Sequence, residues 1–496
     1  MNYSEQLRDK LENYFEVTTL HGLKYIGKPT TTIIEKLFWT ISFVVAILFS
    51  GYFINKVIYN YNHSVIISEN PYSVSGHIIP FPTITICNMN RAEEIPATAI
   101  ITNGSTLEKK SLNILCNEQE SNHDESAHVT RDFFINFTTN VSPSCEDAMK
   151  YCFWKNKQVN CSAIFNVALT DVGACCVFNQ LSLKQIFRET NRDHFENLNF
   201  ASEYGKNSRN TTTPLKLKGA GLMVVLDANL ENIFCSSTNS VGFKIGLSNP
   251  VEMSLVKNKA LHVPVEYQTI ITLNPVISEA EKTLQHESYK SRWCFFNEER
   301  YLKYFVTYTL QNCITECNVN YTLEKCNCMP YYIMSNSTVE MCEYQHQECI
   351  ARAKNLAAYN EKPLQNRSKC NCLPNCNEYN FKSRMSYNRL TSKQFFYMLL
   401  PGFMIQNKTY KEFIKSSAII KVYFAKSNIE RSSKNDLYDS FEFLSNMGGL
   451  LCIFLGFSFL SVVEAIYHVV FEISPIIVGM IRNYNSKDKN HFPFVK

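Results

Sequence analysis

Two stretches of the 496-residue chain are apolar and free of charge, one near each end. Leu37 to Ile54 (LFWTISFVVAILFSGYFI) is a run of 18 uncharged residues. As a helix rising about 1.5 Å per residue it approaches the roughly 30 Å hydrocarbon core of a bilayer. Lys36 and Lys56 bracket it and can extend their charged tips toward the interface. Phe443 to Val463 (FLSNMGGLLCIFLGFSFLSVV) supplies 21 uncharged residues before Glu464, after which apolar character resumes through Phe471. Both runs are read as membrane helices. The polar stretch before the first, with Arg8, Lys10, Lys24 and Lys28, is too long for the charged lead of a cleavable signal peptide, so that run reads as a signal anchor.

Between the two runs the pattern turns to short alternating or β-rich stretches. Phe81–Cys87 (FPTITIC) and Ala418–Phe424 (AIIKVYF) predict strands close to the two membrane helices. Gly221–Leu226, Gly242–Leu247 and Tyr267–Leu273 predict further strands of one central sheet, and 182–197 carries a helical pattern. No heptad array, solenoid period or low-complexity linker interrupts the region, which predicts a mixed, compact domain.

Cysteine usage sets the compartment. Of the 19 cysteines, 18 lie from Cys87 to Cys376, and the flanks add only Cys452. The densest part holds Cys313-x3-Cys317, Cys326-x-Cys328 and Cys370-x-Cys372-x3-Cys376, spacings that suit disulfides in an oxidising compartment better than the C-x2-C pairs and histidines of a zinc module. Ten glycosylation sequons fall between the two apolar runs, at Asn62, Asn103, Asn136, Asn140, Asn160, Asn210, Asn320, Asn336, Asn366 and Asn407. The region between the helices is therefore expected outside the cell, with both termini cytosolic. Arg482, Lys487, Lys489 and Lys496 after the second run agree with that orientation. A net charge of +4 without a basic run argues against a nucleic-acid partner, and no G-x-S-x-G, H-E-x-x-H or P-loop pattern supports an enzyme.

Four landmarks occur in a fixed order: His21-Gly22, Phe81-Pro82-Thr83-Ile84-Thr85-Ile86-Cys87-Asn88, the cysteine-rich block, and Gly448-Gly449…Gly456-Phe457-Ser458…Ser461-x-x-Glu464. On these the chain resembles the epithelial sodium channel/degenerin superfamily nearly end to end, and its texture is nearest the arthropod pickpocket group. The resemblance implies an α+β membrane protein that assembles as a trimeric channel: two transmembrane helices and a large disulfide-rich extracellular domain with a β-sheet palm and helical finger and thumb. The implied divisions are a cytosolic N-terminus with a re-entrant His-Gly motif (1–36), transmembrane helix 1 (37–59), the extracellular domain (60–436, its thumb-like cysteine ladder at 294–376), a pre-pore segment and transmembrane helix 2 (437–471), and a cytosolic C-terminus (472–496). The implied disulfides are Cys87–Cys175, Cys152–Cys161, Cys294–Cys376, Cys313–Cys372, Cys317–Cys370, Cys326–Cys349 and Cys328–Cys342. Cys116, Cys145, Cys176 and Cys235 remain, and the sequence leaves their pairing open.

The resemblance also assigns pore roles. Gly456, Phe457 and Ser458 match the family's selectivity filter, where small residues let three helices bring carbonyls and a hydroxyl to a partly dehydrated sodium ion. A small-residue packing face is the alternative reading. Ser445 matches the degenerin position, with Asn446 beside it at the gate; bulk at Ser445 is expected to wedge the helices apart and open the pore. Glu464, costly in lipid, is expected in the inner pore with His21 and Gly22, its alternative being a plain cytosolic boundary. Asp436, Asp439 and Glu442 would form an outer vestibule that concentrates cations, or simply begin a solvated helix.

The implied function is a subunit of a sodium-selective, amiloride-sensitive cation channel gated by its extracellular domain, in sensory or epithelial ion transport at the plasma membrane. It would be a homotrimer or a heterotrimer of related subunits in contact with membrane lipid, with sodium as permeant ion and no cofactor or metal. A non-conducting auxiliary subunit or a glycosylated membrane receptor is the alternative.

Overall fold

The computed structural model describes residues 3–20, 22–28, 30–63, 72–75, 78–116, 128–188, 212–214, 221–236, 238–257, 259–296, 298–334, 339–360, 370–390, 410–425, 428–434 and 440–479. The chain divides into two units: 1–68 with 286–292 and 435–496, and 69–285 with 293–434.

The first unit is helical. Its N-terminal elements are α1 (Tyr3–Val17), α2 (Leu23–Gly27) and α3 (Ile33–His63). The apolar run predicted from Leu37 is thus the middle of a longer helix. It starts at Ile33 because Thr32 and Glu35 form a reciprocal cap: the Glu35 carboxylate accepts the Thr32 N–H at 3.0 Å and the Thr32 hydroxyl accepts the Glu35 N–H at 3.4 Å. At the other end of the chain the second apolar run is divided. One helix covers Ser440–Leu455, a second covers Phe459–Tyr467, and a π-helical segment, His468–Ile473, carries the chain into a final turn ending at 479. Helix α3 packs along Ser440–Leu455 through aromatic rings: Phe454 stacks near Phe49 and Phe53 at 6.5 and 5.8 Å, and Tyr61 meets Phe443 at 4.5 Å.

The second unit is built on two sheets. Its main strands, in chain order, are β1 (Tyr72–Ser75), β2 (Thr83–Asn88), β3 (Met149–Trp154), β4 (Lys157–Val159), β5 (Phe165–Thr170), β6 (Gly173–Phe178), β7 (Leu222–Asp227), β8 (Phe243–Ser248), β9 (Leu261–Val263), β10 (Tyr267–Ala280), β11 (Glu378–Arg389), β12 (Ser417–Phe424) and β13 (Asn428–Lys434). The larger sheet runs β1-β13-β10-β12-β7-β3-β4, with β11 also paired to β10. The smaller runs β9-β8-β2-β6-β5. The single central sheet expected from the sequence is therefore two, because β8 pairs with β2 while β7 and β10 pair with β12. Local alternation announces a strand but does not choose its partner.

Phe81, fully buried just before β2, joins the sheets. Its ring meets Trp154 and Phe424 of the larger sheet at 5.1 and 5.4 Å, and Phe178 of the smaller at 6.0 Å, each edge to face. Strand β10 alternates buried and half-buried residues and continues past Asn274-Pro275 to Ala280, where the sequence pattern ended at Leu273. Pro275 lacks one ladder donor but stays in register opposite Phe381, so the strand survives it. The helical reading of 182–197 reduces, among described residues, to Leu183–Ile186; 189–197 lies outside them.

Nine disulfides staple this unit. Cys87 is joined to Cys175, Cys152 to Cys161, Cys294 to Cys376, Cys313 to Cys372, Cys317 to Cys370, Cys326 to Cys349, and Cys328 to Cys342. The four cysteines left open by the sequence pair as Cys116–Cys235 and Cys145–Cys176. Five of these bridges fall in 294–376, where helices Leu310–Cys326 and Gln347–Asn360 pack around a cysteine-rich core containing Tyr321, Ala353 and Ala357.

Candidate ion-conducting site

Gly456, Phe457 and Ser458 form the break between the two halves of the second apolar stretch. Gly456 has φ +64°, a left-handed conformation that costs any other L-residue about 1–2 kcal/mol. The helix then restarts on Ser458, whose hydroxyl accepts the Ser461 N–H at 3.2 Å while the Ser461 hydroxyl accepts the Ser458 N–H at 3.2 Å. The Phe457 N–H turns back to the Leu451 carbonyl at 3.3 Å. In a continuous helix these three donors would serve the carbonyls of Ile453, Phe454 and Phe457. Their diversion takes those N–H groups away from the carbonyls, and the Ser458 hydroxyl at the break is exposed; backbone and hydroxyl oxygens are hard donors suited to an alkali cation.

A second element reaches the same level from the other end of the sequence. Thr19 lies 2.8 Å from the Ser461 hydroxyl and donates to Glu464 Oε2 at 3.1 Å, so Ser461 is the donor in the first contact. Thr18, Gly22 and Ser461 are buried. Gly22 takes φ +88° and its carbonyl accepts the N–H groups of Tyr25 and Ile26 at 3.2 and 3.3 Å, which turns the chain from Thr19 into α2. His21 lies outside the described residues. Further along, Lys10 pairs with Glu472 at 3.6 Å, His468 Nδ1 lies 3.3 Å from the same carboxylate, and the Tyr14 ring meets His468 edge to face at 5.0 Å. Helix α1 is thereby held along the end of the second apolar stretch.

Sequence reasoning missed Thr19, His468 and Glu472. The available signal was the spacing Glu464-x3-His468-x3-Glu472, which puts three polar side chains on one helical face within an apolar stretch.

Glu442, Ser445 and Asn446 are exposed on Ser440–Leu455, and a Cβ at Gly448 or Gly449 would meet no atom within 4 Å. Asp436 and Asp439 lie outside the described residues. So do Asn210, Asn336, Asn366 and Asn407, as does the side chain of Asn62. The side chains of Asn103, Asn136, Asn140, Asn160 and Asn320 are exposed. An eleventh sequon, Asn2-Tyr3-Ser4, stands ahead of the first apolar run, so ten of eleven fall between the two runs.

A family profile described as amiloride-sensitive sodium channel matches residues 14–468. Pickpocket protein 28 of Drosophila melanogaster is 30% identical over 476 residues, covering 92% of this chain and 77% of the relative. Sodium channel protein Nach of Drosophila melanogaster is 23% identical, covering 93% and 87%, and human acid-sensing ion channel 2 is 22% identical, covering 97% and 90%.

Proposed function

Because this chain belongs to the amiloride-sensitive sodium channel family, the epithelial sodium channel/degenerin superfamily, we propose that it is one subunit of a sodium-selective, amiloride-sensitive channel gated by its extracellular domain. The family consists of ion channels assembled from related subunits in the plasma membrane, not of enzymes. The observation that carries the proposal is the helix break at Gly456–Ser458, where three N–H groups are turned away from the carbonyls they would otherwise cap.

In this reading three subunits meet around that break, and Gly456, Phe457 and Ser458 are this chain's part of the filter. The open face of Gly448 and Gly449 supports close approach of neighbouring helices. Ser445 and Asn446 form the gate, Asp436, Asp439 and Glu442 the outer vestibule, and Glu464 with His21 and Gly22 the inner pore. Thr19 ties the re-entrant N-terminal segment to that pore through Ser461 and Glu464. Residues 60–436 are extracellular, with palm, finger and thumb regions, and carry the glycans. Both termini are cytosolic, sodium is the transported ion, and no cofactor is required. Homomeric and heteromeric trimers both fit this arrangement.

Voltage-clamp of cells expressing the chain, alone and with related subunits, tests the proposal. An inward current that falls when sodium is replaced by an impermeant cation and is blocked by amiloride is expected. A current from a partner subunit whose selectivity and block ignore every substitution at Gly456 and Ser458 of this chain would assign it an auxiliary role instead.

A further inference from the structure

A cavity of about 200 Å³ opens beside the helix Leu310–Cys326, and one of the residues lining it is Asn320, an exposed glycosylation acceptor. Glu316, Tyr321 and Glu324 of the same helix line it too, with Arg300 and Leu302 from the segment before. Two disulfides anchored on this helix, Cys313–Cys372 and Cys317–Cys370, hold the wall in place, so the space is formed in advance of any occupant.

The lining has polar groups to spare. Arg300 Nη2 donates to the Cys370 carbonyl at 3.1 Å, its Nε is buried without a partner, and the guanidinium makes no other hydrogen bond or ion pair among the described residues. The Glu316 carboxylate accepts the Lys303 N–H and the Tyr304 N–H at 2.9 Å each, and each oxygen keeps a second lone pair. One guanidinium set against two carboxylates leaves no positive excess, which argues for a neutral, polar occupant rather than a simple anion. Leu302 and Tyr321 add apolar surface to these polar groups.

The sequon itself supplies such an occupant. In Asn320-Tyr321-Thr322 the threonine is 1% exposed, and its hydroxyl donates to the Asn318 carbonyl at 2.8 Å. The acceptor pattern requires that hydroxyl, so a sugar must reach Asn320 before the helix is packed. The first N-acetylglucosamine is bonded directly to the Asn320 side-chain nitrogen, and so short a tether gives it a high effective concentration at the cavity. An apolar cavity of about 150 Å³ accepts benzene, so this one has room for a single pyranose ring.

We propose that Asn320 is glycosylated and that the first N-acetylglucosamine of its glycan is a built-in ligand of this cavity. Its acetamido carbonyl accepts from Arg300, its hydroxyls donate to Glu316 and Glu324, and the remaining sugars leave through the mouth. The proposal rests on the extracellular placement of this domain and on no feature of the ion-conducting break.

Full-length protein purified from cells restricted to high-mannose glycans tests it, with site occupancy read by mass spectrometry. In the folded protein, endoglycosidase H, which cuts beyond the first sugar, should trim both Asn320 and the exposed Asn136. Peptide-N-glycosidase F, which cuts at the asparagine, should act many-fold more slowly at Asn320 than at Asn136, and unfolding should abolish the difference. The thermal unfolding midpoint should survive endoglycosidase H but fall by several degrees in Asn320→Gln. Arg300→Met should lower it more in the glycosylated protein than in the Asn320→Gln background, the coupling expected of groups in contact. A bare Asn320 beside occupied Asn136 and Asn140 overturns the proposal and leaves the placement of the domain intact, whereas a protein bare at every sequon overturns both. Equal release from Asn320 and Asn136, an unchanged midpoint in Asn320→Gln, or equal effects of Arg300→Met in the two backgrounds overturns the proposal alone.

Discussion

Thr19 and Ser461, 442 positions apart in sequence, bring their hydroxyl oxygens to 2.8 Å, and Thr19 passes its own proton toward Glu464. Thr19→Val keeps the shape and removes both bonds. In the proposed channel it should lower the sodium-to-potassium permeability ratio several-fold without changing surface delivery, whereas Thr19→Ser should restore it. Reversal potentials in paired sodium and potassium solutions, read beside surface biotinylation, decide the point.

Of the two bridges that the sequence left open, Cys116–Cys235 and Cys145–Cys176, the first differs most in reach from the short bridge implied at Cys152–Cys161. Cys116–Cys235 closes a separation of 119 residues and Cys152–Cys161 one of 9. Chain-entropy arguments put these at about 5 and about 3 kcal/mol. The Cys116→Ser/Cys235→Ser double variant should therefore lower the unfolding midpoint more than the Cys152→Ser/Cys161→Ser pair. Equal losses, measured on protein purified from the same cells, would mean that unfolded-chain entropy does not govern these bridges.

Glu378, at the start of β11, has its carboxyl raised above the ordinary range, chiefly by burial, with Glu252 adding to the shift and Asn380 and Lys434 opposing it. A folded-state value above the unfolded one means that folding favours the protonated form. Its contribution is complete below the unfolded value and disappears as pH rises through the native one. Glu378→Gln should accordingly unfold later than wild type at pH 7.5, with the gap closing as pH falls toward 4. A gap that widens on acidification contradicts this sign.

Asn136 and Asn140 are exposed on the helix Arg131–Val141, one turn apart. Each changed to Gln should remove one glycan from the protein's mobility on a denaturing gel, and glycosidase digestion should erase the difference. Asn2→Gln should change nothing, because the proposed orientation keeps the N-terminus in the cytosol. A mobility shift on Asn2→Gln would reverse that orientation.

Much of this architecture was legible because the responsible signals are local. Uncharged runs mark Leu37–Ile54 and Phe443–Val463, and alternation marks the strands that became β2 and β12. What stayed hidden depends on partners distant in the chain. Nothing near Phe243 says that it belongs with β2 rather than β7, and nothing near Thr19 announces Ser461. The start of α3 was missed for a different reason: the Thr32–Glu35 cap is polar, so an apolar window overlooks the turn it stabilises.

The central claim, that Gly456–Ser458 lines the conduction path, is tested most directly by cysteine accessibility. With Cys452→Ala removing the lone free thiol among the described residues, Ser458→Cys should make the sodium current sensitive to external cadmium, reversibly on chelation. The Cys452→Ala parent should stay insensitive. A Ser458→Cys subunit that reaches the surface, takes part in the conducting assembly and passes undiminished current at saturating cadmium would contradict the account.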